Sequence, residues 1–340
     1  MHDVAAIIPA YRAERWLPAC LETLLRHAGD VDLDVIVVDN DPGDEIAAIV
    51  ADFPQARTVT VENRGFAAAN NDGLKRAEAR YALFLNPDTE FRRGTLAELV
   101  ARLDERPEIG LAGVRQMTPS GELCPTARYT PSVPRALADA LGADKLPAGV
   151  SLGQRMRDLA RYEREFECDW TAGSFMLVRR EALLGAGAFD ERFFLYSEEA
   201  DLALRIRQAG WQVWHMPQVE ILHHELKSGV DPRLEAQQAF ARRQYVRKHL
   251  SPPARVAFLV VLAIRYGLRG ALASRAGANA DAWRETARRT LPLLAGRGEP
   301  PFGPPPGVAV RIDAPPEATG RRRRLFRRPT EARPTETQRS

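Results

Sequence analysis

The chain has few cysteines, and they form none of the patterns found in disulfide-bonded or zinc-binding proteins. Its 340 residues include three cysteines, at the widely separated positions Cys20, Cys124 and Cys168. An odd number at such spacing fits neither a disulfide framework nor a zinc site. This usage indicates the reducing cytosol, and the first residues, which enter a strand pattern at once, show no secretory leader.

The sequence also lacks the glycine-rich turns with which many nucleotide-binding proteins hold phosphate. The first predicted strand, residues 4–9, is followed by Ala-Tyr-Arg-Ala-Glu, and a P-loop is equally absent. A backbone cradle for phosphate is therefore not expected at that turn, which leaves a metal ion to neutralise a bound diphosphate. A sugar nucleotidyltransferase is disfavoured because it needs a glycine-rich, basic loop there.

No long apolar run and no general excess of charge mark the chain. Lys+Arg number 48 and Asp+Glu 45. Residues 297–340 hold ten arginines and five acids, which gives them a net charge of +5. The whole chain has a net charge of +3, so residues 1–296 carry −2. Nucleic-acid binding by the body is excluded on these grounds. Only nine uncharged residues separate Arg255 from Arg265, far short of the roughly 20 of a membrane span.

Apolar runs alternate with helical patterns through the first 115 residues. The runs predict strands at residues 4–9, 35–38, 58–61, 81–85 and 109–114. The patterns between them predict helices near residues 17–25, 46–53, 67–79 and 96–103. This alternation is typical of a parallel sheet with right-handed crossovers, whose carboxyl edge binds ligands.

Polar side chains follow three of these strands at that edge. Pro87 ends strand pairing and leaves Asp88 as a natural anchor for a divalent metal that carries a diphosphate. Tyr11 either flanks a flat base or merely packs. Asp39 either accepts a hydrogen bond from a pyrimidine imide or caps a turn.

A second cluster of acids lies in the other half of the chain. Ser197 occupies the position of a helix N-cap, and Glu198, Glu199 and Asp201 crowd the first turn that follows. The helix dipole favours acids there, so simple capping is one explanation. Three acids in four positions, after the run Phe-Phe-Leu-Tyr, exceed what a cap requires.

Together these segments resemble the inverting glycosyltransferases of family 2, which have the GT-A fold, and in particular their bacterial rhamnosyltransferase-like branch. The matching segments lie within residues 4–228 and are Ile7–Tyr11, Val37–Asn40, Asn63–Asp88, Gly173–Glu181, Phe189–Asp201 and His223-His224. The resemblance implies an α/β GT-A domain with a mostly parallel central sheet flanked by helices over residues 1–250. Residues 1–115 would form its nucleotide-sugar half and residues 116–250 its acceptor and catalytic half.

The resemblance also assigns roles to particular residues. Glu199 would be the catalytic base, and Asp88 and His223, in preference to His224, would bind Mg²⁺ or Mn²⁺. The residues expected to bind the donor are Tyr11, Asp39, Asn63, Asn70 and Asn86, and the secondary candidates for the site are Glu198, Asp201, Gly173 and Trp170. Many relatives have aspartate at the positions of Asn86 and Glu199, so the metal would depend chiefly on Asp88.

The expected activity is inverting, metal-dependent, non-processive transfer of a sugar, with dTDP-rhamnose favoured as donor. The acceptor would be a hydroxyl of a cell-envelope glycan or a lipid-linked molecule. Galactofuranosyl, hexosyl or GlcNAc transfer and a non-catalytic nucleotide-sugar-binding or scaffolding protein are the alternatives. A processive synthase is disfavoured because Gln244-Tyr-Val-Arg247 is followed by Lys248 rather than tryptophan.

The C-terminal region predicts an appendage of helices over residues 251–296 and a disordered, Pro/Arg-rich tail over residues 297–340. Arg255, Arg265 and Arg269 fall within about 80° of one another on a helix. Such a basic and apolar helix either lies in a membrane interface or docks on the enzyme domain. The expected location is therefore the cytoplasm, with peripheral contact to the inner face of the plasma membrane as one outcome.

Overall fold

The structure, a computed structural model, describes residues 1–41, 43, 45–142, 151–224 and 230–303. Its nine strands are β1 His2–Ala10, β2 Leu33–Asp39, β3 Ala56–Thr60, β4 Ala79–Leu85, β5 Thr89–Arg93, β6 Ile109–Met117, β7 Phe166–Glu167, β8 Phe175–Arg179 and β9 Gln212–His223. Its α-helices are α1 Leu17–Arg26, α2 Glu45–Ala51, α3 Phe66–Leu74, α4 Leu96–Glu105, α5 Val133–Ala140, α6 Arg180–Ala186, α7 Glu198–Gln208, α8 Pro232–His249, α9 Pro252–Ala271 and α10 Ala280–Leu294. Short 3₁₀ helices lie at Leu159–Glu163 and Ala273–Asn279.

All nine strands join one sheet in the order β3-β2-β1-β4-β8-β6-β9-β5, with β7 beside β9. The pairings give six strands one direction, namely β1, β2, β3, β4, β6 and β9, while β5, β7 and β8 run against them. The predicted α/β fold with a mostly parallel central sheet is therefore confirmed.

Helices cover both faces of the sheet because its strands are apolar on both sides. Side chains of β1 alternate between two buried layers, with Ile8 in one and Ile7 in the other. Helices α1, α2 and α4 close the first layer, and α3, α6 and α7 close the second. Such a sheet buries near-continuous apolar strands, as the sequence pattern predicts.

Two predicted boundaries are wrong. The third helix was expected over residues 67–79, but α3 ends at Leu74 because Ala79 already pairs with His2 in the sheet. The disordered tail was expected from residue 297, but residues up to 303 are folded onto the body. There the Phe302 N–H donates to Gln237, and the Arg233 guanidinium lies over the Phe302 ring. Residues 304–340 lie outside the described residues.

The C-terminal helices pack on the enzyme body. Phe258, Leu262 and Tyr266 of α9 are buried in a cluster that includes Phe193 and Ala200 beside the acidic turn. Of the two alternatives for this helix, docking on the body is therefore seen. No helix in the described part of the chain is long and apolar enough to cross a membrane. The proposed division at residue 250 falls between α8 and α9 and remains a prediction.

One backbone contact connects the loop before α3 with the loop before α7. Gly65 has φ +97°, and a Cβ added there would lie 2.3 Å from the carbonyl oxygen of Phe194. That oxygen accepts the N–H of Phe66 at 2.8 Å. Arg64 strengthens the link because its guanidinium reaches Glu191 at 2.7 Å. The donor half and the acidic turn are thus held together by main chain.

We expect Gly65→Ala to lower the free energy of unfolding more than Gly121→Ala does. Gly121 has φ +81° but nothing within 4 Å of an added Cβ, so its variant measures backbone strain alone, about 1–2 kcal/mol. The Gly65 variant adds a clash with main chain, which a side-chain rotation cannot relieve. Chemical denaturation of both variants measures the difference, and equal losses would contradict the importance of this contact.

Candidate active site

The strand end at β4 presents the first group of polar side chains. The Asn86 N–H donates to the carbonyl of Ser174 at 3.0 Å, and the Thr89 hydroxyl donates to the carbonyl of Asn86 at 2.7 Å. These bonds fix the main chain where pairing of β4 ends. The side-chain oxygen of Asn86 is buried and accepts no hydrogen bond from the described residues. It is therefore an acceptor still to be satisfied.

Asp88 and His223 meet at the same edge. The Nε2 atom of His223 lies 3.2 Å from a carboxylate oxygen of Asp88, which is buried. His224 points elsewhere: its Nε2 lies 2.5 Å from Glu90, and its ring stacks on Trp16 with 4.3 Å between centroids. The structure therefore places His223, and not His224, beside Asp88.

These residues fit a metal that also binds a diphosphate, rather than a site made by protein alone. Among the described residues no three His, Cys, Asp or Glu side chains are arranged to hold a metal ion. Mg²⁺ in phosphate sites typically takes one or two carboxylates, with phosphate and water oxygens completing the set. Asp88 and His223 with the unsatisfied oxygen of Asn86 form a donor set of that kind. The imidazole favours Mn²⁺ over Mg²⁺.

The residues expected to bind the base lie at the ends of β1 and β2. These parallel strands are neighbours, with Ala10 opposite Asp39, so Tyr11 and Asp39 reach the same edge. Tyr11 is 48% exposed. Asp39 is buried, and its carboxylate accepts the N–H of Asp41 at 3.1 Å. Asp39 thus does cap a turn, as one interpretation held, and both residues stay candidates for base binding.

Two further asparagines lie on the loop and helix that follow. Asn63 is exposed, and its side-chain oxygen accepts the N–H of Gly65 at 3.1 Å. Asn70 is fully buried in α3 and donates to the carbonyl of Phe66 at 3.0 Å. Its side-chain oxygen has no partner in the described part of the chain. Asn63 therefore holds the turn at Gly65, whereas Asn70 keeps a free acceptor.

The acidic turn of α7 follows a strained loop. Tyr196 and Ser197 have φ values of 73° and 69°, a left-handed conformation that costs each of these residues roughly 1–3 kcal/mol. Ser197 occupies the N-cap position, but its side chain makes no capping hydrogen bond with described residues. Ser197 therefore does not cap α7 with its side chain, while the acids of the first turn stay where the helix dipole favours them. Such strain is concentrated at functional sites, where surrounding structure enforces it.

The three acids of this turn have different surroundings. Glu199 lines a cleft together with Trp170, Tyr196 and Gln238, and one of its carboxylate oxygens has no described partner. Glu198 is buried. Asp201 is fully buried and bound at 2.6 Å by both Lys248 and His249 and at 2.8 Å by Arg205. Asp201 therefore holds α7 against α8, and Glu199 alone of the three faces the cleft.

Burial also separates the acids electrostatically. Burial, augmented by the charge of Glu199, raises the pKa of Glu198 well above the usual glutamate range. Burial likewise raises the pKa of Glu199, while the nearby charge of Arg128 opposes that rise. The pKa of Asp201 is lowered because its cationic partners outweigh its burial. A carboxyl with a raised pKa in a cleft is suited to accept a proton.

Gly173 and Ser174 connect the metal edge to Glu199. A Cβ added at Gly173 would lie 3.8 Å from the Cβ of Glu199 and 3.7 Å from the ring of Phe66. The next residue, Ser174, accepts the N–H of Asn86 through its carbonyl. Trp170, a few residues earlier, donates its indole N–H to the carbonyl of Tyr129 and forms part of the cleft. These contacts link Trp170, Gly173 and Glu199 to the strand end at Asn86.

Arg128 is a residue of this site that the sequence did not indicate. Its N–H donates to the carbonyl of Trp170, and its Nη1 atom is buried without a described partner. Burial lowers its pKa to about 10, so it stays charged at neutral pH. Arg128 lies in an irregular segment without a motif, so only the structure reveals it. Trp16 and Glu90, which contact His224, were also missed, because contacts between distant residues bring them to it.

The family of the protein is shown by its similarity to known proteins. The family description "Glycosyl transferase family 2" matches residues 5–183, more than half of the chain. This protein belongs to glycosyltransferase family 2. It is therefore a glycosyltransferase, and the predicted resemblance to the bacterial rhamnosyltransferases is confirmed by the relatives below.

The relatives are named for rhamnosyl transfer or for O-antigen biosynthesis. N-acetylglucosaminyl-diphospho-decaprenol L-rhamnosyltransferase of Mycobacterium tuberculosis is 28% identical over 327 residues, which is 87% of this chain and 100% of that protein. O-antigen biosynthesis protein RfbC of Myxococcus xanthus is 25% identical over 66% of this chain and 17% of its own length. Rhamnosyltransferase WbbL of Escherichia coli is 41% identical, but over 56 residues, 16% of this chain and 21% of its own.

A solved structure shares the fold. The crystal structure of GalNAc-T7 with UDP, GalNAc and Mn²⁺ superposes with a TM-score of 0.52 at 13% identity, covering 73% of this chain. The present chain spans 48% of the length of that protein. At this identity the likeness supports the GT-A fold alone.

We expect Arg128→Gln to shift the acidic limb of the pH–rate profile to higher pH. The Arg128 cation favours the charged form of Glu199, so its removal raises the pKa of that carboxyl further. A base must be deprotonated, hence the rate falls off at a higher pH than in the unaltered protein. The measurement is kcat/KM for sugar transfer between pH 4 and 9.

Arg161→Gln is the matched control, because Arg161 lies in the 3₁₀ helix Leu159–Glu163, where its guanidinium lies over the ring of Phe166. Its profile should stay unchanged. An unshifted limb in the Arg128 variant would contradict the coupling between Arg128 and Glu199.

Proposed function

We propose that the protein is an inverting, non-processive glycosyltransferase that moves rhamnose from a dTDP donor to a lipid-linked acceptor of the cell envelope. The observation that carries the proposal is the position of Glu199. It lines a cleft and lies beside Gly173, and the next residue, Ser174, accepts the N–H of Asn86 at the strand end. The Mycobacterium tuberculosis relative, whose name specifies a diphospho-decaprenol acceptor and rhamnose, aligns over its whole length and supports both substrates.

The donor binds along the carboxyl edge of the sheet in this proposal. Tyr11 packs on the base, and the buried carboxylate of Asp39 accepts the imide N–H of a pyrimidine. Asn63 keeps the turn at Gly65 in place beside the donor, and the side-chain oxygen of Asn70 accepts a hydrogen bond from the donor. Tyr11 and Asp39 lie at the carboxyl ends of the neighbouring strands β1 and β2, Asn63 lies in the loop after β3, and Asn70 lies in α3.

Asp88 and His223 would hold Mg²⁺ or Mn²⁺, with Asn86 contributing its unsatisfied oxygen. When bound, the ion neutralises charge on the departing diphosphate, as a Lewis acid. The Mn²⁺ and UDP in the GalNAc-T7 structure support the use of a divalent metal. The sequence has no glycine-rich phosphate loop after β1, which is consistent with a metal ion, rather than backbone N–H groups, neutralising the diphosphate.

Glu199 then accepts a proton from the acceptor hydroxyl. The hydroxyl oxygen bonds to the anomeric carbon from the face opposite the diphosphate, while the carbon–oxygen bond to the diphosphate breaks. A single displacement of this kind inverts the anomeric centre. Arg128 favours the charged form of Glu199, while burial and the charge of Glu199 raise the pKa of the neighbouring Glu198.

The protein would work in the cytoplasm, where its three cysteines are reduced; the described residues contain no disulfide. Peripheral contact with the inner face of the plasma membrane would bring it to a lipid-linked acceptor.

We expect Glu199→Gln to lower the rate of transfer about 10²–10⁴-fold, the usual contribution of a positioned base, with donor affinity unchanged. Glutamine keeps the shape of the side chain but does not accept the proton. The assay follows radiolabelled sugar from dTDP-rhamnose, and separately from UDP-galactofuranose, UDP-hexoses and UDP-GlcNAc, to a GlcNAc-diphospho-polyprenol with Mn²⁺.

Glu198→Gln is the discriminating partner, because it replaces a buried acid that does not line the cleft and should keep most of the activity. Loss of transfer in that variant alone would assign the base to Glu198. Binding of donor without transfer or hydrolysis by the unaltered protein would instead favour the non-catalytic alternative, and a preference for another donor would correct the sugar.

A further inference from the structure

Helix α9 has an exposed apolar stripe on the side that does not contact the body. Its members follow one another at four-residue spacing and are between 49% and 62% exposed, namely Val256, Val260, Ile264, Leu268 and Leu272. At 1.5 Å per residue the stripe is about 24 Å long. Aliphatic side chains scattered singly on a surface are ordinary, whereas a continuous row of this length marks a contact surface.

Helix α5 extends this surface. It packs against α9, and Leu137 and Leu141 at its end are 47% and 80% exposed. The one acid of α5, Asp139, turns inward and accepts the N–H of Gln154. We call the α9 stripe together with these two leucines the apolar ridge.

The charges of α9 do not interrupt the ridge. The helix contains no Asp or Glu. Arg255 donates to the carbonyl of Arg247 at 2.9 Å, and Arg269 lies over the ring of Trp283 at 4.7 Å. These two arginines thus interact with other parts of the described chain and do not break the exposed apolar row.

Net charge identifies the occupant of the ridge. Residues 251–340 hold 17 arginines, no lysine and seven acids, which gives them a net charge of +10. The whole chain has a net charge of +3, so residues 1–250 carry −7. An aliphatic ridge in a strongly basic region suits an anionic lipid surface, where basic residues are attracted to the headgroups and apolar side chains enter below them.

We infer that the apolar ridge is a membrane-docking surface that inserts into the interface of an anionic bilayer. The opposite side of α9 carries Phe258, which lines the same cleft as Glu199. A bilayer at the ridge is therefore about one helix diameter, roughly 10 Å, from the cleft. This inference deepens the proposed function, since it rests on a lipid-linked acceptor for its purpose, and gives the acceptor a route from the membrane to the base.

The test is vesicle flotation of the full chain without substrates, using phosphatidylglycerol–phosphatidylcholine vesicles and pure phosphatidylcholine vesicles. The unaltered protein should float with the anionic vesicles. Val260→Glu combined with Ile264→Glu should lower its partition coefficient at least about tenfold, because charges are costly in the interface. Val260→Ser with Ile264→Ser should also weaken binding, which separates lost apolar contact from charge repulsion.

Leu184→Glu combined with Leu159→Glu is the matched control, since both side chains are exposed aliphatics outside the ridge, at 58% and 40%. It should float like the unaltered protein. Equal flotation of the ridge variants, or no flotation of the unaltered protein, would overturn the inference. So would sedimentation showing a dimer that the ridge variants dissociate, because a second copy would then be the occupant.

Donor hydrolysis with Mn²⁺, measured on the same proteins in the absence of vesicles, should be unchanged by the ridge variants. This readout keeps the two proposals apart. Flotation without hydrolysis would count against the proposed enzyme activity, and hydrolysis without flotation would count against the ridge.

Discussion

The position of the acidic turn depends on the hydrogen bond from the Phe66 N–H to the Phe194 carbonyl, made where Gly65 has no side chain. On one side of this bond lies the loop that leads into α3 and borders the donor edge. On the other lies the strained pair Tyr196-Ser197, from which Glu199 enters the cleft. Because the joint is made by main chain, it is rigid in a way that a contact between side chains is not.

The three carboxyl groups of the acidic turn have different partners. Asp201 is held by Lys248, His249 and Arg205, so the far side of the turn is tied to α8. Glu198 is buried without such partners, and Glu199 faces the cleft near Arg128. One turn of helix thereby gives three carboxyl groups three different proton affinities, and the group that faces the cleft is the one whose pKa is raised and yet balanced by a cation.

Much of this arrangement could be predicted from the sequence, because strand and helix periodicity reports burial directly. Strands β1 to β4 and β6, the edge position of Asp88 and the acidic turn at Glu199 follow from local pattern, whereas β5 was not predicted. The end of α3 did not, since pairing of Ala79 with His2 is a contact between distant residues. Arg128 lies in an irregular segment, and the contacts of His224 with Trp16 and Glu90 join distant residues, so only tertiary structure sets these positions. The apolar ridge was hidden because both sides of α9 are apolar, and only packing shows which side is covered.

The central claim is that Asp88 and His223 hold the metal of the donor on the same side of the sheet as Glu199. The most direct measurement is an anomalous difference map from crystals grown with Mn²⁺ and thymidine diphosphate. The account predicts one manganese peak within bonding distance of Asp88, His223 and the diphosphate, with the terminal phosphate of the nucleotide directed towards Glu199. A manganese peak at Glu198 or Asp201, or nucleotide bound away from the ends of β1, β2 and β4, would contradict it.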